Sequence, residues 1–141
     1  MAFTGNWTCN TFKTGLMNGS FDFTSGSFYL ALYTNSAALN EDTTAYTATG
    51  EASGGNYAPG GNLLTIAQVP TVGNGDTAYI SFSNTSWTGA ITARGALIYK
   101  TGANGAVCVL DFGADKTSTA TFTVQFPAVT NTSAIIRISY C

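Results

Sequence analysis

The chain has 141 residues, a net charge of −2 and only 9% charged side chains, against about 25% in an ordinary globular protein. That length suits one domain over residues 1–141 with a proper core, and five scattered cations (Lys13, Arg94, Lys100, Lys116, Arg137) argue against nucleic-acid binding by phosphate neutralisation. No apolar run approaches the roughly 18 residues of a membrane span, and the N-terminus lacks the basic start and apolar run of a secretory leader, so neither a nucleic acid nor a membrane is expected as a partner.

In chain order, "CNTFKTGLMNG" predicts a short helix over about 10–18. Asn10 or Thr11 is the expected N-cap, Phe12, Leu16 and Met17 the apolar face, and Gly19 the stop. "SFYLALYT" (27–34) is apolar on both faces and predicts a strand covered on both sides. The segment 35–61 is long, polar and rich in small residues, and includes "GEASGGNYAPGG" (50–61). Loops beyond about 12–15 residues in compact domains are usually functional or disordered. "NLLTIAQVPTV" (62–72) predicts a strand whose Pro70 favours a sheet edge or a bulge. "DTAYISFS" (76–83) follows, with Ala78, Ile80 and Phe82 on one face. "AITARGALIYK" (90–100) and "AVCVLDFG" (106–113) flank "TGANG" and predict a hairpin. "ATFTVQFP" (120–127) points Phe122, Val124 and Phe126 inward and Thr121, Thr123 and Gln125 outward. "SAIIRISY" (133–140) sets Ala134, Ile136, Ile138 and Tyr140 on one face. The expected fold is all-β, an antiparallel, jelly-roll-like sandwich of about seven to eight strands with one short N-terminal helix.

The residue types present narrow the chemistry. There is no histidine, which removes Ser-His-Asp triads, Cys-His pairs and His-ligated zinc together. Three widely spaced cysteines (Cys9, Cys108, Cys141) suggest neither a disulfide framework nor a metal site. Cys108 reads as a small buried apolar residue and Cys141 as a terminal thiol. The Gly-rich stretch lacks a Gly-Lys-Ser/Thr ending and leads into no helix, so a phosphate cradle is disfavoured. Asp111 and Asp115 in "LDFGADK", with Glu41 and Glu51, are the carboxylates a glycosidase or a calcium site would need. The stronger reading of "DFGAD" is a short turn whose aspartates bond their own backbone. Arg94 and Asp111 lie near opposing positions of the predicted hairpin. They suit a cross-strand ion pair, the alternative being that Arg94 reaches an acid on a neighbouring subunit. Trp7 and Trp87 are core or interface anchors, with Trp87 in a turn-like, partly exposed setting. Tyr46, Tyr57 and Tyr99 are scattered and form no evident aromatic platform. No cofactor or enzymatic activity is expected.

The order "CNTFKTGLMNG", "FYLALYTNSAAL", "GEASGGNYAPGGNLLT", "FSNTSWTGAITARGALIY", "AVCVLDFGADKTSTATFTVQFP" resembles a family of small tailed-bacteriophage virion proteins common in aquatic phages. More loosely, it resembles short phage proteins labelled tail fibre or minor structural proteins, which share an "ALYT" strand and a "GE-SGG-Y" loop. In that looser family a basic or polar residue is frequent where this chain has Pro59. The resemblance implies a structural protein of the particle surface, assembled in the host cytoplasm. It would be a capsid decoration or cement protein, or alternatively a tail, baseplate or fibre protein with an adaptor or receptor-binding role. The expected partners are copies of itself, a trimer being favoured, and other virion proteins such as the major capsid protein or tail proteins. On this reading 50–61 is an assembly loop, and Glu51, Tyr57, Pro59 and Trp87 are the candidate contacts.

Overall fold

The computed structural model describes residues 3–130 and 132–139. It is mostly β with one short helix, and its paired strands run antiparallel. Strand β1 (Trp7–Thr8) leads directly into α1 (Asn10–Asn18). The N-cap is Cys9, not Asn10 or Thr11 as expected. Instead, the Asn10 N–H donates to Glu41 O at 2.8 Å, and Thr11 Oγ1 donates to Ala106 O at 3.1 Å. The buried face of α1 holds Phe12 and Gly15. A Cβ on Gly15 would lie 2.3 Å from the Phe21 ring, so only glycine lets that ring approach. The apolar face stops short of Met17, which is 85% exposed. Gly19 closes the helix in the left-handed region (φ 80°) and donates to Gly15 O.

Strand β2 (Tyr29–Tyr33) is covered on both faces, with Leu30, Ala31, Leu32 and Tyr33 fully buried. The strand expected over 62–72 is two strands, β3 (Asn62–Leu63) and β4 (Ile66–Val72). β4 is the edge of a three-stranded sheet, pairing with β5 (Ala78–Phe82), which pairs in turn with β10 (Ile136–Ile138). Pro70 sits on that edge, inside a register shift between Gln68 and Thr71, where a missing N–H breaks no ladder. Of the C-terminal face, Ala134 is buried, Ile136 is half-buried and Ile138 is exposed. Tyr140 and Cys141 lie outside the described residues.

Four strands form one long bent hairpin. β7 (Thr92–Tyr99) pairs with β8 (Ala106–Thr117), and β6 (Thr85–Thr88) pairs with β9 (Thr121–Val124). A single register runs from Ala93↔Lys116 and Thr92↔Thr117 to Thr88↔Thr121 and Thr85↔Val124. Across the bend, Ser118 N–H donates to Ile91 O at 2.9 Å and Gly89 N–H to Ala120 O at 2.7 Å. The two chains thus pass together out of the five-stranded sheet, ordered β1-β8-β7-β2-β3, into a two-stranded one. Trp87 is not in an exposed turn: it lies on β6 and is 2% exposed. "DFGAD" is not a chain reversal but a bulge within β8, where residues 112–115 oppose Arg94 alone. Asp111 still bonds its own backbone there, accepting the Gly113 N–H at 2.8 Å.

The core runs from Phe12, Phe21, Phe23, Phe28 and Phe82 through β2 and β7 to Trp87, Phe122 and Val124. Phe23 and Phe28 stack at 4.5 Å, and Phe12 meets Phe21 edge-on at 5.0 Å. Burying a side chain of this size stabilises the fold by about 1.5–3 kcal/mol.

Candidate functional site: the glycine-rich loop and its glutamate–tyrosine knot

Segment 35–61 contains no regular strand, yet it is fastened along the free side of β2. Thr34 N–H donates to Gly50 O at 2.8 Å, and Ala52 N–H donates to Leu32 O at 2.9 Å. Tyr33 and Glu51 form an isolated antiparallel bridge. Past that bridge the backbone turns away, and the Leu32 N–H would lose its partner. The Tyr57 hydroxyl takes it, accepting at 2.9 Å. A side-chain oxygen thus stands where a neighbouring strand's carbonyl would be, until β3 resumes pairing at Leu30 and Tyr29.

Glu51 organises the loop. Its Oε1 accepts from the Tyr46 hydroxyl at 2.6 Å, and its Oε2 accepts from the Tyr57 hydroxyl at 2.6 Å and the Gly60 N–H at 2.8 Å. Three donors converge on one half-buried carboxylate, the charge-assisted kind of hydrogen bond and the strongest available here. Two further hydroxyls tie the loop to the sheet: Tyr99 donates to Gly60 O and Tyr33 to Thr47 O, each at 2.7 Å. Burial, then the hydrogen bond to Glu51 and its charge, pushes the Tyr46 hydroxyl up to about 12. Burial, then the Glu51 charge, does the same to Tyr99. Tyr33 and Tyr57 are raised as well, burial again leading. All four hydroxyls are therefore neutral donors at physiological pH. The tyrosines that looked scattered are gathered: Tyr46 stacks on Tyr99 at 5.0 Å, Tyr99 on Tyr29 at 5.7 Å, and Tyr57 leans on Trp87 at 5.4 Å.

The glycines serve close approach inside the chain. Gly55 has φ +48°, and a Cβ there would lie 2.1 Å from Thr88 O; at Gly61 (φ +78°) it would lie 1.8 Å from Leu30 O. Asn56 pins the same turn to β6, its N–H donating to Thr88 O at 2.9 Å and its Oδ1 accepting the Thr88 N–H at 2.8 Å.

Among the candidate contacts, Glu51 and Tyr57 are half-buried fastenings and Trp87 is a core residue, its Nε1 buried without a hydrogen-bond partner among the described residues. Pro59 is exposed, as are Ala58 and residues 53–56. Arg94 Nε and Asp111 Oδ1 meet at 3.0 Å across β7 and β8. For the Asp111 carboxyl, burial acts upward, but the Arg94 hydrogen bond, the Gly113 N–H and the Arg94 charge outweigh it and hold it below the ordinary range. The remaining acids do not converge with it. Glu41 and Asp42 sit at the start of α1, where Asp42 Oδ1 accepts from Asn10 Nδ2 at 3.1 Å, and Asp115 is exposed on the bulge. Among the described residues no three acids or cysteines gather as a metal site would require. Cys9 and Cys108 are buried free thiols, pushed by burial up to about 11 and about 12. Among the described residues no helix is long and apolar enough to cross a membrane.

The knot left a weak trace in the sequence: one acid in a Gly-rich stretch, with tyrosines five and six residues to either side. The part played by Tyr33 and Tyr99 left none. No protein-family model, curated protein or solved structure matches the chain.

Proposed function

We propose that the chain is a non-enzymatic structural protein of a bacteriophage virion, a decoration or cement subunit that stabilises the head by bridging capsomers. The observation that carries this reading is the pre-formed loop. Glu51 and its donors fasten 50–61 to the sheet and Asn56 pins its turn to β6, while 53–56, Ala58 and Pro59 remain exposed. A contact surface ordered in advance avoids most of the entropy cost of ordering a loop on binding. With 9% charged residues, the surface is one of hydroxyls, amides and small apolar groups, suited to contacts repeated by symmetry. In this reading the sheets pack as a jelly-roll-like sandwich, the subunit is a homotrimer, and its other partner is the major capsid protein. Many modest contacts made together resist the pressure of packaged DNA through avidity. The second reading is a tail, baseplate or fibre protein with an adaptor or receptor-binding role, and an open groove at the bend of the long hairpin, lined by both aromatic and polar residues, favours it.

Immunogold labelling of purified particles, with copy number from the same preparation, tests this. Label over the whole head, at a copy number comparable to the capsid subunit or a simple fraction of it, is expected. Label confined to the neck or tail at low copy supports the second reading, and absence from particles refutes both.

A further inference from the structure

The inside of the hairpin bend is an open groove of about 450 Å³ between the β8 bulge and β9. We propose that it binds a short oligosaccharide bearing a carboxylate, stacked on Phe112. This does not rest on the decoration reading.

The bulge makes the site. Four residues of β8 oppose one of β7, so Phe112 leaves the ladder and lines the groove, half-exposed, 6.2 Å from the buried Phe122 ring. A half-exposed aromatic beside polar groups suits the apolar C–H face of a sugar ring. Along the other side of the groove run residues 121–125, with Phe122 and Val124 buried and Thr121, Thr123 and Gln125 exposed. Among the described residues their side chains make no hydrogen bond within the chain, so two hydroxyls and an amide, all able to donate and accept, remain available to sugar hydroxyls. Neighbouring Thr117 and Ser118 are already engaged, with Thr92 Oγ1 and with Gly89 O and the Ile91 N–H, which keeps the floor of the bend rigid. The one charged side chain lining the groove is Lys116. It carries no acidic partner there, since the one ion pair among the described residues is Arg94–Asp111, and its complement is the carboxylate of an acidic sugar.

The test is a printed array of neutral and uronic- or sialic-acid-containing oligosaccharides, followed by calorimetric titration of the best acidic binder and its neutral counterpart. Phe112→Ala is expected to weaken both by on the order of ten-fold or more, and Phe112→Tyr to retain binding. Lys116→Gln is expected to weaken the acidic ligand alone. Circular dichroism verifies that all three variants are folded before their binding is compared. No binding on the array, or binding that Phe112→Ala leaves unchanged in a folded protein, overturns the proposal. Equal loss of acidic and neutral ligands in Lys116→Gln overturns the carboxylate assignment.

Discussion

Tyr57→Phe isolates the role of one hydroxyl in holding the loop. The ring stays, so its contact with Trp87 at 5.4 Å is kept and no cavity opens. Two hydrogen bonds are lost: the hydroxyl's bond to Glu51 Oε2 at 2.6 Å and the Leu32 N–H bond that the same oxygen accepts at 2.9 Å. Leu32 is fully buried, so its N–H is left without a partner or water. An unsatisfied buried donor costs about 1–3 kcal/mol, and a hydrogen bond to a charged group is worth about 1.5–3 kcal/mol. The two share one oxygen and are not additive, and Glu51 keeps its Tyr46 and Gly60 donors. The expected destabilisation is therefore about 2–4 kcal/mol. Urea unfolding followed by tryptophan fluorescence measures it, with a lower midpoint at unchanged slope. A loss below about 0.5 kcal/mol, the range of an ordinary surface substitution, would refute the knot as the element that holds 50–61 in place. It would also restore Tyr57 as a contact free to serve a neighbouring subunit.

Other outcomes follow from the same geometry. Tyr46 and Tyr99 titrate near 12 in the folded chain and near 10 when unfolded. Their stabilisation is thus intact below about pH 10 and disappears as pH rises through 12; a tyrosinate absorbance titration should show them ionising together with alkaline unfolding. Asp111 runs the other way. Its carboxyl is held low in the fold, so its contribution is present above about pH 4 and is lost as pH falls further. Arg94→Met should flatten that acid limb in a stability-against-pH series. Phe122→Ala should cost about 3–5 kcal/mol in a denaturant titration, since Phe122 is 6% exposed on the inner face of β9.

Local patterns were readable in the sequence wherever their cause was local. Helical spacing gave α1 its bounds of Asn10–Asn18, Gly19 gave its stop, and Pro70 marked an edge because proline has no N–H to offer a ladder. Arg94 and Asp111 could be matched because the "TGANG" turn brings their strands together. What escaped was set by tertiary geometry. Trp87 looked turn-like among Ser, Thr and Asn, but Thr85–Thr88 form a paired strand whose inner face it fills. The β8 bulge lies inside a stretch that otherwise reads as strand then turn. The Glu51 knot draws on Tyr33 and Tyr99 from two different strands, and no spacing rule links them.

The most direct measurement of the loop's proposed role is particle incorporation of Ala58→Asp, a charge placed at an exposed position of the loop, with the urea midpoint checking that the neighbouring Tyr57 and Gly60 bonds to Glu51 survive. The variant competes with wild-type protein for particles lacking the subunit, and bound copies are counted by quantitative mass spectrometry. An unchanged urea midpoint with incorporation reduced by on the order of ten-fold or more is the predicted result. Equal incorporation of the two proteins would contradict an assembly role for the outward face of 50–61.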